Sequence, residues 1–192
     1  YIYVASGQKV VILDAFPVED MTVLSEIEFG NAVTEIFVNG DKLVVFGNGL
    51  VDSPRGSDVS SGEIIDSRYI SGYDPAVLTY DISNRDAPVL ESSVVLEGSY
   101  VDSRMIGDYV YVVSRKTVRV GVEPPIYYID GVEHKVVAED VYYPTFRDNS
   151  YQFTSISAID IGSGEFNTET YLLGTSYTMY VSENSIYLTQ AK

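Results

Sequence analysis

The fold class that this sequence predicts is all-β, built from repeated units of four short antiparallel strands. Three observations carry that expectation. The 192 residues hold 17 Tyr and 15 Gly, with Val, Ile and Thr throughout and no long helical stretches of Ala, Leu, Glu and Lys. One hairpin pattern occurs three times, each time opening on a glycine: Gly30–Gly47, Gly98–Arg115 and Gly174–Gln190. A second matched pair of apolar segments lies upstream of each of those glycines.

In chain order, YIYVAS reads as the second strand of a unit, and KVVILDAF and VLSEIEF as its third and fourth. GNAVTEIFVNGDKLVVFG gives a hairpin with Asn39, Gly40 and Asp41 at the turn, and AVLTYDIS and VLESSVVLE complete that unit. GSYVDSRMIGDYVYVVSR opens the next, which SISAIDIG and TETYLLG close. GTSYTMYVSENSIYLTQ starts another, turning at Ser182, Glu183 and Asn184. The third strand of each unit ends on an aspartate, Asp14, Asp81 or Asp160, followed by a turn. A carboxylate there accepts hydrogen bonds from N–H groups two residues on and closes the corner.

The opening glycines lie 68 and 76 residues apart. Removing two insertions, at about 48–75 and 116–152, leaves a period near the ~40–45 residues of a propeller repeat. Four-stranded units at that period predict a β-propeller, because one twisted sheet cannot cover both its faces and radial stacking covers them. Alternation of Tyr109, Tyr111 and Val113 against Val110, Val112 and Ser114 fits a strand pressed between neighbours. The count is thirteen strands, in groups of three, four, four and two. YIYVAS and SIYLTQ share one phase of the repeat, so the expectation is an excerpt: about three four-stranded blades, an open arc of a larger ring, within a single domain 1–192. The missing blades would come from absent sequence or another chain.

YIYVASGQKVVILDAF, EIFVNGDKLVVFG, YDISNRDAPVLESSVVLEGSYVDSRMIGDYVYVV and YVSENSIYL resemble the secreted β-propeller domain of archaeal and bacterial surface proteins. The resemblance covers nearly the whole chain. It implies an exported or cell-surface protein and carries no catalytic residue set. YDISNRDAP also resembles the short strand-turn repeats of other surface propellers.

Composition narrows the chemistry. A net charge of −16 repels phosphate backbones and anionic lipid, so nucleic acid and bare membrane are not expected partners. The chain has no cysteine, and its one histidine, His134, sits beside an Asp-Gly turn without a nucleophile elbow elsewhere. No apolar run approaches the ~18 residues of a membrane-spanning helix.

Binding residues are expected where the two insertions and the glycine corners converge, on one face of the scaffold. That face places Glu35, Asp102, Arg104 and Tyr177 around the mouth of the central channel. In the second insertion IYYIDGVEHKVV is a hairpin, and Tyr127 and Tyr128, with Tyr142, Tyr143 and Tyr151 near by, read first as rings that pack it onto its parent sheet and, as the alternative, as a stacking platform for a sugar or peptide. Asp52, Asp58, Asp66 and Asp74 of the first insertion are weak candidates for calcium, since their spacing does not match the known loop pattern. Otherwise no cofactor is expected. The function expected is a non-enzymatic binding or scaffolding module with a protein or glycan partner. The alternatives are an extracellular hydrolase or lyase acting on carbohydrate through acidic residues at the channel mouth, and a structural spacer of a surface layer.

Overall fold

A computed structural model describes residues 1–51, 74–118, 121–143, 145, 151–174, 176–182 and 185–190. All thirteen expected strands are present, in the expected order and pairing. β1 (Ile2–Ser6), β2 (Lys9–Asp14) and β3 (Thr22–Glu28) form one antiparallel sheet. β4 (Val33–Asn39), β5 (Lys42–Asn48), β6 (Pro75–Asp81) and β7 (Val89–Leu96) form the second. β8 (Ser99–Ile106), β9 (Tyr109–Thr117), β13 (Gln152–Asp160) and β14 (Phe166–Leu173) form the third, and β15 (Ser176–Ser182) pairs with β16 (Ser185–Gln190). The helical pieces among the described residues are two three-residue 3-10 turns, and no helix there is long and apolar enough to cross a membrane.

Period-2 patterning decides how the sheets stack. On β5, Val44 and Phe46 point into one core with Val77, Val94, Leu96, Val110, Val112 and Ile159, between the second and third sheets. Leu43 and Val45, one residue out of step, point into the opposite core with Val10, Ile12, Ala76 and Leu78, between the first and second. Both faces of the second sheet are therefore buried, which explains why β5 reads as an unbroken apolar run. The aspartate corners form as expected: Asp81 Oδ1 accepts from Ser83 N at 2.8 Å and Asp160 Oδ1 from Gly162 N at 2.9 Å. Phe16 N approaches Asp14 Oδ1 at a longer 3.4 Å.

The second insertion adds three strands. β10 (Ile126–Ile129) and β11 (Val132–Lys135) are the expected hairpin, with Asp130 at φ 49° in its turn. The sequence reading has this hairpin packing on its parent sheet; instead it crosses over and pairs antiparallel with β7, extending the second sheet. Asp130 makes the crossing specific, because its carboxylate accepts from Ser93 N at 2.7 Å while its own N–H donates to Ser93 O. β12 (Val141–Tyr142) joins the outer edge of β14 in parallel.

Candidate functional site

Both insertions open at the end of the sheets where the glycine corners lie. Val33 at the head of β4 pairs with Gly47, which pairs with Ala76 at the start of β6. Ser99 at the head of β8 pairs with Arg115, and Thr117 pairs with Gln152. Two contacts tie these corners together. Asp74 Oδ1, where the first insertion returns, accepts from Gly98 N at 3.0 Å. Glu97 pairs with Lys116 at 2.8 Å, and Lys116 Nζ also donates to Glu123 O within the second insertion.

The first strand of each hairpin carries one irregularity, at one register. Thr34, Val101 and Tyr177 are each an extra residue without a partner on the facing strand, so β4, β8 and β15 all bulge just below the corner. A bulge re-aims the side chains beyond it. Val33 packs toward the first sheet, yet Glu35, two residues on, reaches the third; in a regular strand the two would share a face. The same device on β8 turns Tyr100 and Ser103 to one side, and both hydroxyls donate to Glu35 Oε2, Tyr100 at 3.0 Å. Ser103 is fully buried, and burial pushes the Tyr100 phenol up to about 12, with the Glu35 carboxylate adding to the rise.

On the other face of β8, Arg104 pairs with Asp102 at 2.7 Å, its guanidinium about half exposed. Glu35 stands near the insertion-bearing end as an acceptor between sheets, whereas Asp102 lies midway along β8 and Arg104, open to solvent, only two residues from the turn at the far end, so the structure does not bring the three together at one end. Tyr177 is the bulge residue of β15; its side chain lies outside the described part. Tyr100 and Ser103 were missed by reading the sequence, although the break in alternation at Val101 and Asp102 marks the bulge that joins them to Glu35.

The tyrosines of the second insertion divide. Tyr128 is 5% exposed and its hydroxyl donates to Glu133 at 2.7 Å. Tyr127 is half-buried, its ring stacked on His134 at 5.2 Å and packed against Phe166 at 4.7 Å. Neither presents the open ring face that a stacking platform needs, because the hairpin is docked on the edge of the second sheet with Tyr127 turned against the third. Tyr142 and Tyr143 are the open ones, 56% and 75% exposed, and Tyr142 stacks on Tyr171 at 5.1 Å. Of the calcium candidates, Asp52, Asp58 and Asp66 lie outside the described residues, and Asp74 is buried on the Gly98 amide. Among the described residues no three His, Cys, Asp or Glu side chains group as metal ligands would.

The family model for the beta propeller domain matches residues 1–192. This chain belongs to the beta propeller domain family. Two archaeal relatives of the propeller domain are both uncharacterized proteins. One, from Archaeoglobus fulgidus, is 30% identical over 101 residues, covering 50% of this chain and 16% of its own length. The other, from Methanocaldococcus jannaschii, is 30% identical over 117 residues, covering 58% of this chain and 18% of its own. The matched stretch is therefore under a fifth of either relative. No solved structure matches the propeller domain significantly.

Proposed function

We propose that this propeller domain is a non-enzymatic binding or scaffolding module of an exported or cell-surface protein, with its partner held at the insertion-bearing end. One observation carries the reading: the same bulge recurs at the head of three successive hairpins, at the end where both insertions emerge. Bulges favour sheet rims and functional sites, where they direct side chains that regular pleating would send elsewhere. The family resemblance supports export, and the −16 charge suits a cationic or neutral partner. The sheets are blades of one ring, with the two- and three-stranded end sheets completed by further sequence or another chain. Relatives several times longer than the matched stretch leave room for such sequence.

A binding screen of the full-length protein against peptide and glycan arrays tests the site. Thr34→Ala combined with Tyr177→Ala, at two of the bulges, should weaken capture, whereas Asp86→Ala, in the turn at the opposite end, should not. Equal effects of the two changes would remove the site from this end. Release of reducing sugar from an oligosaccharide would replace the reading with hydrolysis, and capture of no partner at all would leave a spacer. Surface proteolysis of intact cells tests export, and protection of the domain there would refute it.

A further inference from the structure

The turn between β4 and β5 consists of Gly40 and Asp41, with Asn39 as the last residue of β4. Asn39 Nδ2 donates to Gly107 O at 3.1 Å and to Asp108 Oδ1 at 2.8 Å, both in the turn between β8 and β9. These bonds join the second sheet to the third at the end away from the insertions. Gly40 is exposed, takes φ 57°, and is engaged through its carbonyl, which accepts from Arg85 at 3.3 Å. A second Asn-Gly pair, Asn48–Gly49, stands at the end of β5, but there the glycine N–H donates to Asp74 O at 3.0 Å.

We propose that Asn39–Gly40 is a site of spontaneous deamidation, and that the reaction undoes the contact between the two sheets. The Gly40 amide nitrogen loses its proton to hydroxide and attacks Asn39 Cγ. The new N–Cγ bond closes a succinimide ring, the Cγ–Nδ2 bond breaks, and Nδ2 leaves as ammonia with a proton from water. Water then opens the ring, at Cγ to give aspartate or at the main-chain carbonyl to give isoaspartate. Glycine after the asparagine matters because no Cβ obstructs the attacking nitrogen. At Gly49 that nitrogen is committed to Asp74 O. An asparagine amide both donates and accepts, whereas a carboxylate only accepts. Both partners of Asn39 are acceptors, so either product sets a negative charge against Gly107 O and the Asp108 carboxylate with no proton between them. The isoaspartate product also inserts a methylene into the backbone at a two-residue turn. The contact guards the site as well, because ring closure needs the Asn39 side chain free to rotate and its Nδ2 free to leave.

Full-length protein held folded at mildly alkaline pH and mapped over time by mass spectrometry tests the site. Aspartate and isoaspartate should accumulate at Asn39 well before Asn48. Equal or reversed conversion, or none while the protein stays folded, would overturn the proposal. Asp108→Ala removes one of the two acceptors that hold Nδ2 and should raise the rate severalfold; an unchanged rate would overturn the guarding role. The consequence for the fold is read separately, by thermal denaturation of the full-length protein. Asn39→Asp should lower the melting temperature by roughly 2–4 °C, as for the loss of one hydrogen-bonded contact in a chain of this size. Asp108→Asn added to that variant supplies a donor again and should restore most of the loss. Glu28→Gln, an equal change of charge on β3 at the other end of the sheets, should not. No loss in Asn39→Asp, or equal recovery with either added change, would show that the contact is not what the reaction breaks and would overturn that half of the proposal.

Discussion

Glu35 is held by two hydroxyls from a neighbouring sheet, and removing its carboxylate leaves them only each other, 2.9 Å apart. Glu35→Ala leaves Ser103 Oγ buried without that acceptor, so chemical denaturation should show a loss of about 1–3 kcal/mol; Glu35→Gln, which keeps a carbonyl, should lose less. Tyr100 adds a pH signature. Its phenol is raised from 10.0 to about 12, chiefly by burial, so between those values the unfolded chain releases a proton that the folded one keeps. Its contribution is whole below pH 10 and is lost as pH rises toward about 12. Tyr100→Phe should flatten the alkaline limb of a stability profile in that window. The aspartate corners act at the other end of the scale. The Ser163 and Gly162 amides hold the Asp160 carboxyl below its usual 3.8, and the Ser83 hydroxyl and amide do so for Asp81. Stability from these groups is present above the unfolded carboxylate range and falls away as acid titrates the folded form, and Asp160→Asn should make that acid loss shallower. These aspartates were legible in the sequence because an Asx corner needs only its neighbours. The Glu35 site was not legible, because its donors stand 65 and 68 residues away on another sheet.

The opening glycines that mark the repeat are not equivalent as elements of structure. At Gly98, φ is +122° and a Cβ would stand 2.4 Å from Arg115 O, a backbone atom that cannot swing aside; at Gly30 a Cβ meets open space. Gly98→Ala should therefore abolish or severely weaken folding, and Gly30→Ala should be close to neutral, as read by thermal denaturation. The crossing hairpin gives a local test. Asp130→Ala removes the acceptor for Ser93 N, and hydrogen exchange should speed up in β10, β11 and the outer part of β7 while β5 and β6 keep their protection. Strands with period-2 patterning and turn residues were readable one by one, and so was this hairpin with its Asp-Gly turn. Its destination was not, since nothing in IYYIDGVEHKVV distinguishes the edge of its own sheet from that of the next. The exposure of Tyr128 failed for the same reason: a ring that looks spare on an isolated hairpin is interior once the hairpin is docked.

At the scale of the molecule, stacking rather than any single sheet makes the fold stable. The first and third sheets each cover one face of the second, and Asn39 joins neighbouring hairpin turns by donating to Gly107 O and Asp108 Oδ1. A net charge of −16 works against that closeness, so adding salt to about 0.5 M should raise the melting temperature by screening the repulsion. Lack of any salt dependence would show the acids to be locally compensated.

The crossing hairpin also gives the assembly a lever. The second sheet passes to the third through the corner at Glu97 and Gly98, and any rocking of one sheet against the other turns about that point. The Asp130–Ser93 contact sits four residues out along β7, an arm of about 13 Å at the ordinary rise of a strand. A small force at the far end of the hairpin thus resists a much larger one near the pivot, and the angle between the two sheets is set by a brace rather than by the joint. Pulled apart in a single-molecule trap, the two sheets should yield in two steps, the brace peeling before the core opens, and Asp130→Ala should erase the first.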